Sequence, residues 1–183
     1  MRARYAGKSR SAPGSSPRLR AALGAIAATW ASAACADCGP VIAAYAKAEA
    51  TGRYAMYDVA SLQAAPKGTP FQVDVGGAGY TNFGDRWQKG GGGDAGFEGS
   101  SLRKREGKGT VRCEPLGERK IGSETAVGYQ IRNNEKGNAP DPTAIHMWIS
   151  RSTGLPVFHG MGSDGGGLRW VYGPTVVAPA MTR

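Results

Sequence analysis

Histidine and cysteine are both scarce in this chain of 183 residues, which holds two of the first and three of the second. A metal site gathers three or four convergent ligands. His146 and His159 stand thirteen residues apart, with no His/Cys/carboxylate cluster at ligand spacing. No metal and no other cofactor is expected. The two histidines could still face each other across paired strands, and such a pair closing on a carboxylate would revive hydrolytic chemistry. Nucleophile signals are missing too. The G-x-S-x-G elbow does not occur, since Met161-Gly162 precedes Ser163. Asp58, Asp74, Asp85, Glu114 and Glu118 fall on expected strands, but spacing pairs none of them. No catalytic residue is assigned, and the chain is not expected to be an enzyme.

Long apolar runs are also lacking. The longest, Ala21 to Trp30, is alanine-rich and too short to span a bilayer. Acidic residues are wholly absent from residues 1–36, where Arg2, Arg4, Lys8, Arg10, Arg18 and Arg20 stand. This stretch accounts for most of the formal charge of +9; beyond it, seventeen basic residues face fourteen acidic ones. A phosphate-tracking protein needs a concentrated basic stripe. Arg103-Lys104-Arg105, beside Glu106, reads as a solvated face, so nucleic acid is not an expected partner.

What residues 1–36 do contain is ordered like a secretion signal: a basic stretch, an apolar run, then A-x-A sites at Ala31-Ser32-Ala33 and Ala34-Cys35-Ala36. Cleavage after Ala33 or Ala36 is expected, with residues 37–183 as one mature domain without a membrane anchor. Loss of Cys35 leaves Cys38 and Cys113, an even pair that reads as one disulfide in an oxidising compartment. A rival reading makes Cys35 a lipid-modified first residue, although Ser32 stands where such sites want a large aliphatic side chain.

Periodicity supplies the elements. Pro40 opens and Gly52 stops a helix over 40–51, with Val41, Tyr45 and Ala48 on one stripe. Strands are expected at 53–59 and 71–75, the latter with Phe71, Val73 and Val75 on one face. One strand is expected at 79–88. A short helix should run from Ser100 or Ser101 to Glu106. Strands 110–119 and 124–133 follow, then an exposed loop over 134–142. Strand 143–150 sets Ile145, Met147 and Ile149 opposite His146 and Trp148, and a hairpin joins 155–159 to 168–172 around 160–167. Strands at short spacing without intervening helices pair antiparallel. Two G-x-G-x-x-G matches, Gly160–Gly165 and Gly91–Gly96, cradle a pyrophosphate only where a strand feeds a helix, and both read as turns.

The aromatic residues carry the remaining signal. Tyr54, Phe71, Tyr129, Trp148, Phe158, Trp170 and Tyr172, with Met56 beside them, either form the core or line an apolar cavity that the sheet leaves open.

Residues 105–178 carry a run of cues. They are Cys113-Glu114-Pro115-Leu116-Gly117-Glu118, Ala126-Val127-Gly128-Tyr129, Met147-Trp148-Ile149-Ser150, Thr153-Gly154-Leu155-Pro156 and Trp170-Val171-Tyr172-Gly173-Pro174. This ordering resembles the lipoprotein-carrier (LolA-like) half-barrel proteins of the bacterial periplasm. Small exported relatives often place one cysteine near the mature N-terminus and one before the Pro-Leu-Gly turn, as Cys38 and Cys113 stand here. The resemblance implies an α+β fold, a curved antiparallel sheet wrapped over helices with a hydrophobic concave face. The expectation is a monomeric periplasmic protein that holds a lipid or other hydrophobic ligand between seven residues, Tyr54, Met56, Phe71, Trp148, Phe158, Trp170 and Tyr172. The alternative is a structural or accessory envelope protein with a packed interior and no ligand.

Overall fold

The computed structural model describes residues 37–84, 86–90, 93–134, 144–162 and 164–181. The expected signal over 1–36, nearly all of the loop expected at 134–142, Asp85 and Ser163 lie outside the described residues.

The order of elements is α1 (Gly39–Thr51), β1 (Arg53–Val59), β2 (Gln72–Val75), β3 (Ala78–Asn82), β4 (Trp87–Lys89), α2 (Asp94–Gly107), β5 (Val111–Ile121), β6 (Glu124–Asn133), β7 (Ile145–Ser150), β8 (Pro156–Met161) and β9 (Gly167–Tyr172). The fold is α+β. The nine strands among the described residues form one open antiparallel sheet in the order β4-β3-β2-β1-β9-β8-β7-β6-β5. The chain starts at the middle of the sheet and walks out to β4. It then crosses by α2 to the far edge at β5 and walks back, so that β9 pairs with β1. The long edge strand β5 carries Pro115 and a bulge between Pro115 and Gly117, features that blunt an edge against pairing with other chains.

Alternation along each strand sends side chains to two faces, and both are covered. On one face α1 and α2 bury Val41, Ala44, Tyr45, Ala48, Ala95 and Leu102 against Tyr54, Met56, Ile131, Met147 and Trp170. On the other face no helix stands among the described residues. The loop after β1 lays Leu62 over Trp148, Phe158 and Ile121, and Val176 of the C-terminal segment covers Ala55 and Val73. Gln63 straps that loop to the β5–β6 hairpin: its amide donates to the Lys120 carbonyl at 2.8 Å and accepts from the Gly122 N–H at 3.3 Å.

Cys38 and Cys113 are disulfide-bonded, with Cα atoms 4.9 Å apart and both side chains fully buried. The bond fastens the start of α1 to edge strand β5. The Cys38 N–H also donates to Glu106 Oε1 at 2.7 Å, which ties in the end of α2.

Two elements differ from the sequence reading. The single strand expected at 79–88 is a hairpin, β3–β4. Asn82 Oδ1 accepts from the Gly84 N–H at 2.9 Å, and Gly84 sits at φ +90°, so an Asx-type turn breaks the run of apolar residues. The second helix begins six residues before Ser100. Gly96 and Gly99 within it are contact points rather than loop formers. A Cβ on Gly99 would lie 3.0 Å from Tyr45 Cβ, and one on Gly96 would run into the Glu49 carboxylate, so α2 approaches α1 only through glycine. Ser100 caps nothing; its hydroxyl donates to the Phe97 carbonyl at 3.0 Å.

Candidate functional site

The seven residues expected around a ligand divide between the two faces. Tyr54, Met56, Trp170 and Tyr172 share the helix face. Trp170 is their hub, with ring centroids 4.9 Å from Tyr54, 6.1 Å from Tyr172 and 6.3 Å from Tyr45 of α1. Tyr172 donates its hydroxyl proton to the Pro156 carbonyl at 2.9 Å. Helix α1 sits on this layer and leaves Tyr54 and Trp170 buried. Trp148 and Phe158 point to the opposite face, where the Arg119 guanidinium lies 5.4 Å over the Trp148 ring. Phe71 precedes β2, pairs by position with Asn82 of β3 through the Asn82 N–H to Phe71 carbonyl bond, and is 41% exposed. The seven therefore do not bound one cavity.

The histidines do not meet either. His146 pairs with Gly160 and His159 with Met147, so the two project from opposite faces of neighbouring strands. Burial lowers the pKa of each. Among the described residues, no group of three or more His, Cys, Asp or Glu could hold a metal ion.

The apolar recess of this protein lies beside the aromatic layer, between α1 and strands β6–β7. It is an open groove of about 360 Å³, lined by Pro40, Ala43, Ala44, Lys47, Val127, Tyr129, Ile149, Ser150 and Gly154. Lys47 is the only charged residue in this lining, and it enters no ion pair among the described residues. The recess arises from side-chain size. Positions 40, 43, 44 and 47 fall on one flank of α1. Pro and Ala there are too short to fill the space over Val127, Tyr129 and Ile149. Sequence reading looked for large aromatic liners and missed a site built by small residues. The signal available was that flank of Pro and Ala, ending in a lysine. A smaller hollow of about 240 Å³ lies on the other face among Ala55, Val73, Trp87 and Val176.

A polar group sits at the start of α2. Here the second glycine motif proves to join a strand, β4, to a helix, contrary to the turn expected; Gly91 and Gly92 lie outside the described residues. The helix start is nonetheless unsuited to an anion. The Ala95 N–H donates to the Tyr54 hydroxyl at 3.0 Å, and the Asp74 carboxylate and Tyr54 hydroxyl crowd the Gly93 Cα. Asp74 and Gln72 are buried, and Asp74 Oδ2 and Gln72 Oε1 have no hydrogen-bond partner among the described residues. Burial pushes the Asp74 pKa up; a hydrogen bond from the Gly77 N–H opposes the rise, and the Asp94 and Glu49 carboxylates add to it.

This has a stability consequence. With its folded-state pKa above the unfolded value, neutral Asp74 favours the fold. The contribution is complete below the unfolded value and is lost as pH climbs through the folded one. Asp74→Asn is therefore expected to melt higher than the parent at neutral pH, and to gain less than the parent on mild acidification. Paired melting curves in neutral and mildly acidic buffer would reveal either behaviour; identical curves for the two proteins would refute it.

No family model matches the chain, and no curated protein matches it either. Among the described residues, no helix is long and apolar enough to cross a membrane.

Proposed function

We propose that the protein is an exported, non-catalytic binding protein that holds the apolar part of an amphipathic ligand, foremost a lipid acyl chain. The carrying observation is the 360 Å³ apolar recess whose one charged lining residue, Lys47, has no ion-pair partner among the described residues. Ligand clefts run from about 300 to 1,000 Å³, so the recess suits a single chain. Lys47 would meet a carboxylate or phosphate head. An open antiparallel sheet with both helices on one face supports a curved half-barrel arrangement and kinship with the LolA-like carriers. The buried Cys38–Cys113 bond supports maturation in an oxidising compartment such as the periplasm.

The test is titration with a fluorescent fatty acid, together with native mass spectrometry of protein taken gently from its producing cell. Ala43 is exposed on the recess wall, so Ala43→Trp should fill the recess without disturbing the core. It is expected to weaken probe binding at least tenfold, about 1.4 kcal/mol, while leaving the melting temperature unchanged. Equal affinity of parent and variant would defeat the assignment of the recess. A second reading has an observation of its own. The aromatic layer is packed rather than hollow, which favours a structural or accessory envelope protein acting through its surface. Protein that is repeatedly ligand-free and fails to take up the probe would leave that reading in possession.

A further inference from the structure

Helix α2 has an inward side and an outward side. Ala95, Gly99 and Leu102 are buried. Residues at i, i+4, i+7 and i+11 share a helix face, and on the opposite side this rule aligns Phe97, Ser101, Lys104 and Lys108. Phe97 is 70% exposed, more than Phe71, Phe83, Val177 or Met161. Lys104 and Lys108 are exposed on the same side two and three turns further on, and Arg103 and Arg105 flank them, also exposed. Counter-charge is thin at this end. Glu106 is turned to the Cys38 N–H, and Glu98, which interacts with Arg105, lies with Asp94 at the end that carries Phe97. Next to α2, the exposed positions Ala46 and Ala50 of α1 are small, and the exposed Glu49 between them lies against Gly96.

Cations in the last turn answer the helix dipole and would be expected on any helix. A large aromatic side chain standing in water seven residues before Lys104 has no such role. We propose that the outward face of α2 is a docking surface for an anionic lipid bilayer. Phe97 enters the boundary between head groups and acyl chains, and Lys104, Lys108 and the flanking arginines meet the phosphates. An aromatic anchor among surface cations suits this level of a membrane, where apolar burial and electrostatic attraction act together. The surface is separate from the recess beside α1, so either assignment can fail alone.

The full chain is to be mixed with sedimenting vesicles of phosphatidylglycerol and phosphatidylcholine, and with phosphatidylcholine alone. The parent is expected to partition at least tenfold better onto the anionic vesicles. Phe97→Ala should lose roughly tenfold by removing the apolar contact. Lys104→Gln/Lys108→Gln should lose roughly 25-fold, at about fivefold per cation. All three proteins should melt alike, because these side chains are already in water. The six N-terminal cations are common to every variant, so a local readout is added: hydrogen exchange over 94–108 should slow on anionic vesicles and not on neutral ones. Variants that partition like the parent, or exchange over 94–108 that ignores the vesicles, would overturn the proposal. So would a surface that takes an acidic polymer such as heparin, with Phe97→Ala as competent as the parent and no uptake by vesicles.

Discussion

Replacing Cys38 and Cys113 together with alanine is expected to lower the unfolding free energy by about 4 kcal/mol and the melting temperature by roughly 10 °C or more. The size follows from the 75-residue separation of the two cysteines: a loop that long has much freedom to lose in the unfolded chain. The native side adds to the argument. The bond joins the first turn of α1 to β5, and β5 has a partner strand on one side only. Without the bond, α1 and β5 should be the first elements to lose hydrogen-exchange protection. The double variant is preferable to a single one, since Cys35 stands near enough in sequence to compete for a lone Cys113 thiol. Urea titration measures the change, and a difference under about 1 kcal/mol would mean that packing alone holds α1 in place.

Trp170→Ala should cost about 3–5 kcal/mol, the range for truncating a buried aromatic side chain. Trp170 touches Tyr45, Tyr54 and Tyr172 at once, so its removal opens a void between α1 and the centre of the sheet. Trp170→Phe should cost much less, because Trp170 Nε1 has no hydrogen-bond partner to forfeit among the described residues. The pair also discriminates between roles. A core residue loses stability and leaves acyl-probe affinity intact when changed to Phe. A ligand contact would do the reverse, and finding that reverse would move the site from the recess to the aromatic layer.

Much of the sheet was legible because its strands alternate. The run 124–133 reads as a strand in sequence and is β6 with the same bounds, as 53–59 is β1. Alternation separates the two faces within one strand, but relating faces across strands requires the register. Trp148 and Trp170 look equivalent in sequence and stand on opposite sides. The register of β7 on β8 shifts between Trp148 and Ile149, and no local pattern announces that shift. His146 and His159 fail to meet for the same reason of facing. Glycine misled in the other direction. Gly96 and Gly99 belong to a helix because Tyr45 and Glu49 of another helix need the room, which is tertiary packing overriding local propensity. The recess was hidden because a missing side chain leaves no mark of its own.

The pairing of β1 with β9 sets the timing of assembly. The strand at the heart of the sheet is among the first synthesised, and its inner neighbour is the last strand described. Two meanders can form early, but the seam between them waits for residues 167–172. Contacts of such sequence separation are slow to form. A nascent chain stopped before β9 therefore leaves β1 without one of its two neighbouring strands, and its central backbone groups stay unpaired on that side.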